Sequence, residues 1–85
     1  MRIYMQQRST EDSAPRFYQI VLEPDMLSGW LVVREWGQSG AAGRVKREHF
    51  DHLEDAQKAM IEVRDAQLQR GYQVVFIHGQ HAVKP

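Results

Sequence analysis

The stretch that decides the fold is RFYQIVLEPDMLSGWLVVREW, residues 16–36. Its two arms, residues 16–23 and 30–36, are rich in aromatic and β-branched side chains, which favour strands. Between them, residues 24–29 (PDMLSG) carry the proline, serine and glycine that are typical of a turn. Two strands joined by so short a turn are predicted to pair as an antiparallel hairpin.

The faces of this hairpin follow from the alternation of side chains along a strand. The first strand places an apolar set on one face: Tyr18, Ile20 and Leu22. The second strand groups both tryptophans on one side, with a valine and an arginine: Trp30, Val32, Arg34 and Trp36. Trp30 and Val32 are predicted to be buried.

Downstream, residues 37–43 (GQSGAAG) predict a glycine-rich hairpin loop, and residues 44–50 (RVKREHF) a third strand. This strand is more polar than the first two, which indicates a sheet edge or a solvated face. Asp51 and Glu54 have the spacing of an N-cap and capping box at a helix start. The helical stripe that follows is Leu53, Ala56, Met60, Val63 and Gln67. Gly71 suits the left-handed residue after a helix end.

The remaining segments complete a single predicted domain spanning residues 1–85. Residues 2–6 predict a short edge strand, residues 7–15 a polar loop and residues 72–77 a last strand, and the tail from residue 78 is expected to fray. The predicted fold class is α+β. It consists of a small antiparallel β-sheet of four to five strands with one amphipathic helix packed on one face.

Composition limits the function classes. Lys plus Arg equals Asp plus Glu, at 11 each, so a nucleic-acid binder of this composition must separate its charges in space. The absence of cysteine excludes disulfides, thiolate catalysis and cysteine-based zinc sites. Residues 1–7 (MRIYMQQ) lack the apolar run of a signal peptide, and no stretch is apolar enough to cross a bilayer. We expect a cytoplasmic protein that is not bound to membranes.

Two short motifs make the sequence more specific. One is Trp36-Gly37-Gln38-Ser39-Gly40, followed by Gly43-Arg44-Val45-Lys46; the other is Arg70-Gly71-Tyr72 at the helix end. In this order, with one amphipathic helix between them, the chain resembles the WGR domain, in particular its small stand-alone bacterial members. The family is named for a Trp-Gly-Arg tripeptide and also occurs in poly(ADP-ribose) polymerases.

The resemblance implies a nucleic-acid ligand, with DNA the expected partner. In the polymerases the motif tryptophan packs against a damaged DNA end and the motif arginine supplies charge. Trp36 and Gly37 match that motif, but Gln38 stands in the place of the arginine. Gln38 can form hydrogen bonds, but it cannot neutralise a phosphate.

The predicted nucleic-acid-binding residues combine the motif with the basic residues around it: Trp36, Gly37, Gln38, Arg34, Arg44, Lys46 and Arg47. Each feature has an ordinary alternative. Trp36 also fits a core aromatic, the glycines fit a hairpin turn that needs positive φ, and the charges fit cross-strand ion pairs with Glu35 or Glu48.

No catalytic constellation is predicted, and neither is a cofactor, a metal site or a small-molecule substrate. Four histidines, His49, His52, His78 and His81, lack the further ligands that a metal needs. The alternative function is a protein-interaction or self-assembly domain. In that case the third strand or the N-terminal strand would offer an unpaired edge to a protein partner or a second copy, forming a homo-oligomer.

Overall fold

The chain forms one five-stranded antiparallel sheet and one helix, in a computed structural model that describes residues 1–8 and 14–79. The strands are β1 (Arg2–Gln7), β2 (Arg16–Pro24), β3 (Trp30–Gln38), β4 (Arg44–Phe50) and β5 (Gln73–His78). The helix is α1 (Leu53–Gln69), and the strand order is β4-β3-β2-β1-β5. The predicted α+β class, with one helix on one face of a small antiparallel sheet, is confirmed.

The hairpin of β2 and β3 is the centre of the packing, as its sequence predicts. Tyr18 lies opposite Trp36, and Leu22 lies opposite Val32. The turn is closed by a hydrogen bond from the Asp25 amide to the Gly29 carbonyl, at 3.0 Å. Helix α1 packs over β2, β3 and β4. The core beneath it consists of Ile3, Met5, Tyr18, Ile20, Leu22, Val32, Ala56, Met60 and Tyr72.

The first strand is not at an edge, so that prediction was wrong. β1 lies between β2 and β5, and its Ile3 and Met5 are 2 % and 0 % exposed. The reason is that β5 returns after the helix and pairs with the free side of β1. A local alternation in residues 2–6 carries no information about a strand that arrives some seventy positions later. The sheet edges are β4, as its polarity predicted, and β5.

The helix begins differently from the prediction and ends as predicted. The N-cap residue is His52, which makes no side-chain cap hydrogen bond, and Asp51 instead contacts the His49 ring at 3.0 Å. At the other end Gly71 has φ of +97°, and its amide and that of Tyr72 donate hydrogen bonds back to the last turn. These two bonds form a Schellman motif, which satisfies carbonyls that the helix leaves unpaired.

The remaining boundaries differ little from the predicted ones. β3 continues through Gly37 to Gln38, and β5 runs one residue later than predicted. Most of the predicted loop at 7–15 and the tail at 80–85 lie outside the described residues. Within residues 1–8 and 14–79, no helix is long and apolar enough to cross a membrane.

Candidate nucleic-acid interface

A groove with a volume of about 570 Å³ opens at the end of the sheet where β2 begins, β3 ends and α1 ends. It lies on the same face of the sheet as the helix. Its lining residues are Gln7, Arg16, Tyr18, Arg34, Trp36, Lys46, Gln67, Arg70 and Tyr72.

The groove is cationic. Arg16, Arg34, Lys46 and Arg70 line it, and none of its described lining residues is acidic. The chain has no net charge, so these cations are an excess at one place, offset by acidic residues elsewhere. Such a local excess attracts polyanions even when the total charge is zero.

Aromatic side chains form one wall of the groove. The rings of Trp36 and Tyr18 stack with their centroids 5.5 Å apart and their planes 11° from parallel. The Arg34 guanidinium donates a hydrogen bond from Nη1 to the Tyr18 hydroxyl at 3.1 Å, and its Cζ lies 5.9 Å from the Trp36 ring centroid. Tyr72 meets Tyr18 edge to face, with 5.9 Å between the ring centroids. These contacts hold the indole in one orientation.

Trp36 therefore combines features of both interpretations that its sequence allows. It packs against the edge of the core, as a structural aromatic would, yet it is only half-buried and lines the groove. Trp30, on the same side of the same strand, packs against the core near Phe50 at the other end. The position along the strand, and not the residue type, decides which tryptophan lines the groove.

Two glutamine side chains complete the groove near the helix end. Gln7 donates from Nε2 to the Arg70 carbonyl at 2.6 Å and so ties β1 to the end of α1. Gln67 is 5 % exposed, and its Oε1 has no hydrogen-bond partner among the described residues. A buried acceptor without a partner is unusual in a folded protein, because its desolvation is not compensated.

The predicted site residues are only partly brought together. Lys46 lies opposite Arg34, and Arg44 lies opposite Trp36, so all of these occupy the helix-side face of the sheet. Arg47 lies opposite Val33 and therefore on the other face. Its assignment to the same basic surface was wrong, because neighbouring residues of a strand point in opposite directions. Gln38 is exposed at the end of β3, opposite Arg16.

The glycines of the loop have two different tasks. Gly40 has φ of +87°, as expected for a hairpin turn. A Cβ on Gly37 would lie 3.1 Å from the Gly43 Cα, and one on Gly43 would lie 2.9 Å from the Trp36 carbonyl oxygen. Gly43, and less tightly Gly37, therefore allow close backbone approach, and the hairpin turn that needs positive φ explains only Gly40 among the three.

Sequence reasoning missed six lining residues: Gln7, Arg16, Tyr18, Gln67, Arg70 and Tyr72. Arg16 shares the parity of Tyr18 on β2, and the register of β2 with β3 places both on the face of Trp36, so the signal for Arg16 lay in that register. The three residues from the helix end and beyond it carry no comparable signal, because only the docking of α1 brings them to β2 and β3.

The opposite end of the molecule carries acidic groups around a histidine. The His49 ring lies 2.9 Å from an Asp25 carboxylate oxygen through Nδ1 and 3.0 Å from an Asp51 oxygen through Nε2. The hydrogen bond to Asp25 and then that to Asp51 raise the pKa of His49 above its usual value. Glu54 and Asp55 follow in the first turn of the helix.

Other contacts considered for the charged residues are not observed. Across the described part of the chain, neither Glu35 nor Glu48 forms a salt bridge. Residues 1–8 and 14–79 contain no group of three or more histidine, aspartate or glutamate side chains arranged to hold a metal ion. His81 lies outside the described residues.

Comparison with known proteins agrees with this architecture. The chain is 27 % identical over 71 residues to the uncharacterized protein y4dW of Sinorhizobium fredii (strain NBRC 101917 / NGR234). That alignment covers 84 % of the chain but only 35 % of the relative, so the chain spans about a third of its length. A family model described as the WGR domain matches residues 1–76, which is most of the chain. The chain belongs to the WGR domain family.

Proposed function

We propose that this chain is a non-catalytic nucleic-acid-binding module that holds DNA ends or breaks in the groove beside Trp36. The observation that carries the proposal is the composition of the groove: four cations and three aromatic rings converge there, and no described lining residue is acidic. Cations attract the phosphates of a nucleic acid, and aromatic rings offer a surface on which its bases or sugars can pack.

The cations supply the affinity. Lysine and arginine side chains that neutralise phosphates release condensed counterions, which makes binding sensitive to salt. The logarithm of the binding constant falls by about 0.9 per decade of salt for each phosphate neutralised on duplex DNA. Four groove cations therefore set an upper limit of roughly 3.6 for that slope.

The aromatic wall supplies contact with a base or a sugar. Tyr18 and Arg34 fix the orientation of the Trp36 indole before any ligand arrives. A ligand that packs on a fixed ring loses less binding energy to ordering the side chain.

The size of the groove favours a strand terminus over the side of a duplex. Its volume of about 570 Å³ is in the range of pockets that enclose small organic molecules. A terminal or displaced nucleotide is of that size, whereas a continuous duplex is far wider. Breaks and ends provide such nucleotides, and intact duplex does not.

A non-catalytic role is consistent with the described side chains. Ser28 and Ser39 are described, and neither forms a side-chain hydrogen bond to a histidine or an acid. The histidine with carboxylate partners, His49, lies at the end of the molecule opposite the groove.

The test is a fluorescence-anisotropy titration with nicked, blunt-ended, single-stranded and closed-circular competitor DNA at several salt concentrations. Lys46→Glu is the informative variant, because Lys46 lines the groove. Arg47→Glu is its matched control, since it makes the same charge change one residue away on the opposite face.

We expect binding that weakens with salt, prefers ends or nicks over closed circles, and falls about tenfold in Lys46→Glu, which corresponds to about 1.4 kcal/mol. Arg47→Glu should have a clearly smaller effect. No binding at low salt, or equal losses in the two variants, would contradict the proposal.

A further inference from the structure

Strand β5 is an edge strand that exposes apolar side chains on both faces. Its four central residues, Val74, Val75, Phe76 and Ile77, are 38 %, 52 %, 44 % and 51 % exposed. Among residues 1–8 and 14–79, β5 pairs only with β1, so its outer hydrogen-bonding groups face away from the described sheet. Exposed apolar edges template pairing with another chain, and proteins usually protect them.

The two edges of the sheet differ in that protection. β4 carries four charged side chains in seven residues: Arg44, Lys46, Arg47 and Glu48. β5 reads QVVFIH and contains no lysine, arginine, aspartate or glutamate. Charged side chains on an edge discourage pairing with another strand. The charges of β4 therefore protect it from pairing with another strand, and β5 has no such protection.

We propose that β5 is the interface of a homodimer, in which a second copy of this chain pairs antiparallel through its own β5. The two sheets then form one continuous sheet around a two-fold axis, which uses the same surface on both copies and closes the assembly. The proposal is independent of nucleic-acid binding, because β5 contributes no residue to the groove.

The distribution of charge permits pairing with a second copy through β5 and disfavours such pairing through β4. Antiparallel self-pairing of β5 places no lysine, arginine or acid opposite its own kind. Self-pairing of β4 would bring two strands together that each carry three cations, Arg44, Lys46 and Arg47, against one acid, and like charges that meet across strands are unfavourable. Pairing of β5 with the β4 of another copy would leave edges free and extend into a filament.

The apolar side chains of β5 also continue surfaces that exist within one chain. Ile77 lies beside Ile3 on the helix side, where α1 covers β2, β3 and β4. On the other side Phe76 stacks on Tyr4, with 5.3 Å between the ring centroids and 14° between the planes. A second β5 would bury both rows from their open side.

The dimer is expected to be weak. β5 has six residues, and the pairing shifts register at Val75, so the regular run is short. An interface built on one short strand falls below the roughly 1,200 Å² of total buried surface that stable complexes reach. We therefore expect a micromolar dissociation constant and an equilibrium that depends on concentration.

The test is sedimentation velocity of the full chain without DNA, over a wide range of concentrations. Val75→Lys introduces a charge on β5, and Val45→Lys introduces the same charge on β4 at a residue of similar exposure, 47 % against 52 %. Circular dichroism verifies that both variants are folded. A separate DNA titration of Val75→Lys should show the binding constant of the monomer unchanged.

We expect the wild-type chain to shift from monomer to dimer with concentration, Val75→Lys to dissociate at least about tenfold more readily, and Val45→Lys to behave as wild type. A wild-type chain that stays monomeric overturns the proposal, and so does equal disruption by both variants. Because the DNA titration is a separate measurement, failure of one proposal is not failure of the other.

Discussion

The two ends of the sheet carry opposite charges on the same strands. Where β2 begins and β3 ends, cations and aromatic rings surround a groove without acidic lining among the described residues. Where β2 ends and β4 ends, Asp25 and Asp51 enclose His49, and the acidic first turn of α1 follows. The comparison shows that a net charge of zero is compatible with a separation of charge between the two ends, and that the cationic end is recognisable only after the strands are paired.

The two tryptophans allow the two ends of the sheet to be compared with a single residue type. Trp36 and Trp30 lie on one side of β3, three alternations apart. Trp36 stacks on Tyr18 and lines the groove, whereas Trp30 lies opposite Pro24 and Phe50 at the acidic end. Substitutions at the two ends should therefore differ in their effects on DNA binding and on stability.

The largest effect is expected from Trp36→Ala at the groove end. The variant removes the stacking surface, which is worth about 1–3 kcal/mol of binding free energy per base. Trp36→Phe retains a ring and should recover most of the affinity. Anisotropy titrations with nicked DNA, after circular dichroism shows that both variants fold, measure the difference. Equal affinities for the two variants would remove stacking from the account.

The next effect concerns the loop behind Trp36. In Gly43→Ala the new Cβ would lie 2.9 Å from the Trp36 carbonyl oxygen and 3.1 Å from the Phe17 ring. We expect the free energy of unfolding to fall by about 1–3 kcal/mol, since overpacking forces backbone shifts. Urea denaturation measures it. Ala41→Ser, at an exposed position of the same loop, is the control and should change little; a neutral Gly43→Ala would show that the close approach is not required.

A smaller effect of opposite sign is expected at Gln67. Gln67→Met keeps the volume of the side chain and removes the buried, unpaired Oε1. The free energy of unfolding should therefore rise by about 1 kcal/mol, which is the low end of the penalty for a buried unsatisfied group. Destabilisation by Gln67→Met would indicate that the amide has a structural partner.

The acidic end should respond to pH. The pKa of His49 is raised in the folded chain, because Asp25 and Asp51 favour its protonated form. Its contribution to stability is therefore complete below the unfolded value of about 6.5 and is lost as the pH rises through the folded pKa. We expect a small effect, because the group is exposed to solvent.

The measurement is the urea midpoint of wild type against His49→Asn on both sides of that range. The difference should be larger at the lower pH. Asp25→Asn should reduce the pH dependence more than Asp51→Asn, in the order of their contributions to the pKa of His49. A difference that grows as the pH rises would have the wrong sign.

Much of the fold follows from local patterns. Alternation in residues 16–23 places Tyr18, Ile20 and Leu22 on one face of their strand, and all three are buried in the core. Gly71 ends the helix as predicted, because its left-handed conformation is a property of one residue and its nearest neighbours. The interior position of β1 had no local signal, since it depends on the return of β5.

The site was harder to predict because a groove is a property of packed elements. Lys46 and Arg34 were found from strand parity, but Arg70 and Gln67 reach the groove only through the docking of α1. Arg47 was misplaced because it is adjacent to Lys46 in sequence and on the opposite face in the sheet. The helix N-cap was also misassigned, since Asp51 has a competing partner in His49.

The central claim is that nucleic acid binds at the groove end of the sheet and not at the other. The two indole N–H signals in a nitrogen-15 correlation spectrum report on the two ends within one molecule, each assigned by substitution. During a titration with nicked DNA, the account predicts that the Trp36 signal moves progressively while the Trp30 signal keeps its position. Movement of Trp30 with Trp36 unchanged, or equal movement of both, would contradict it.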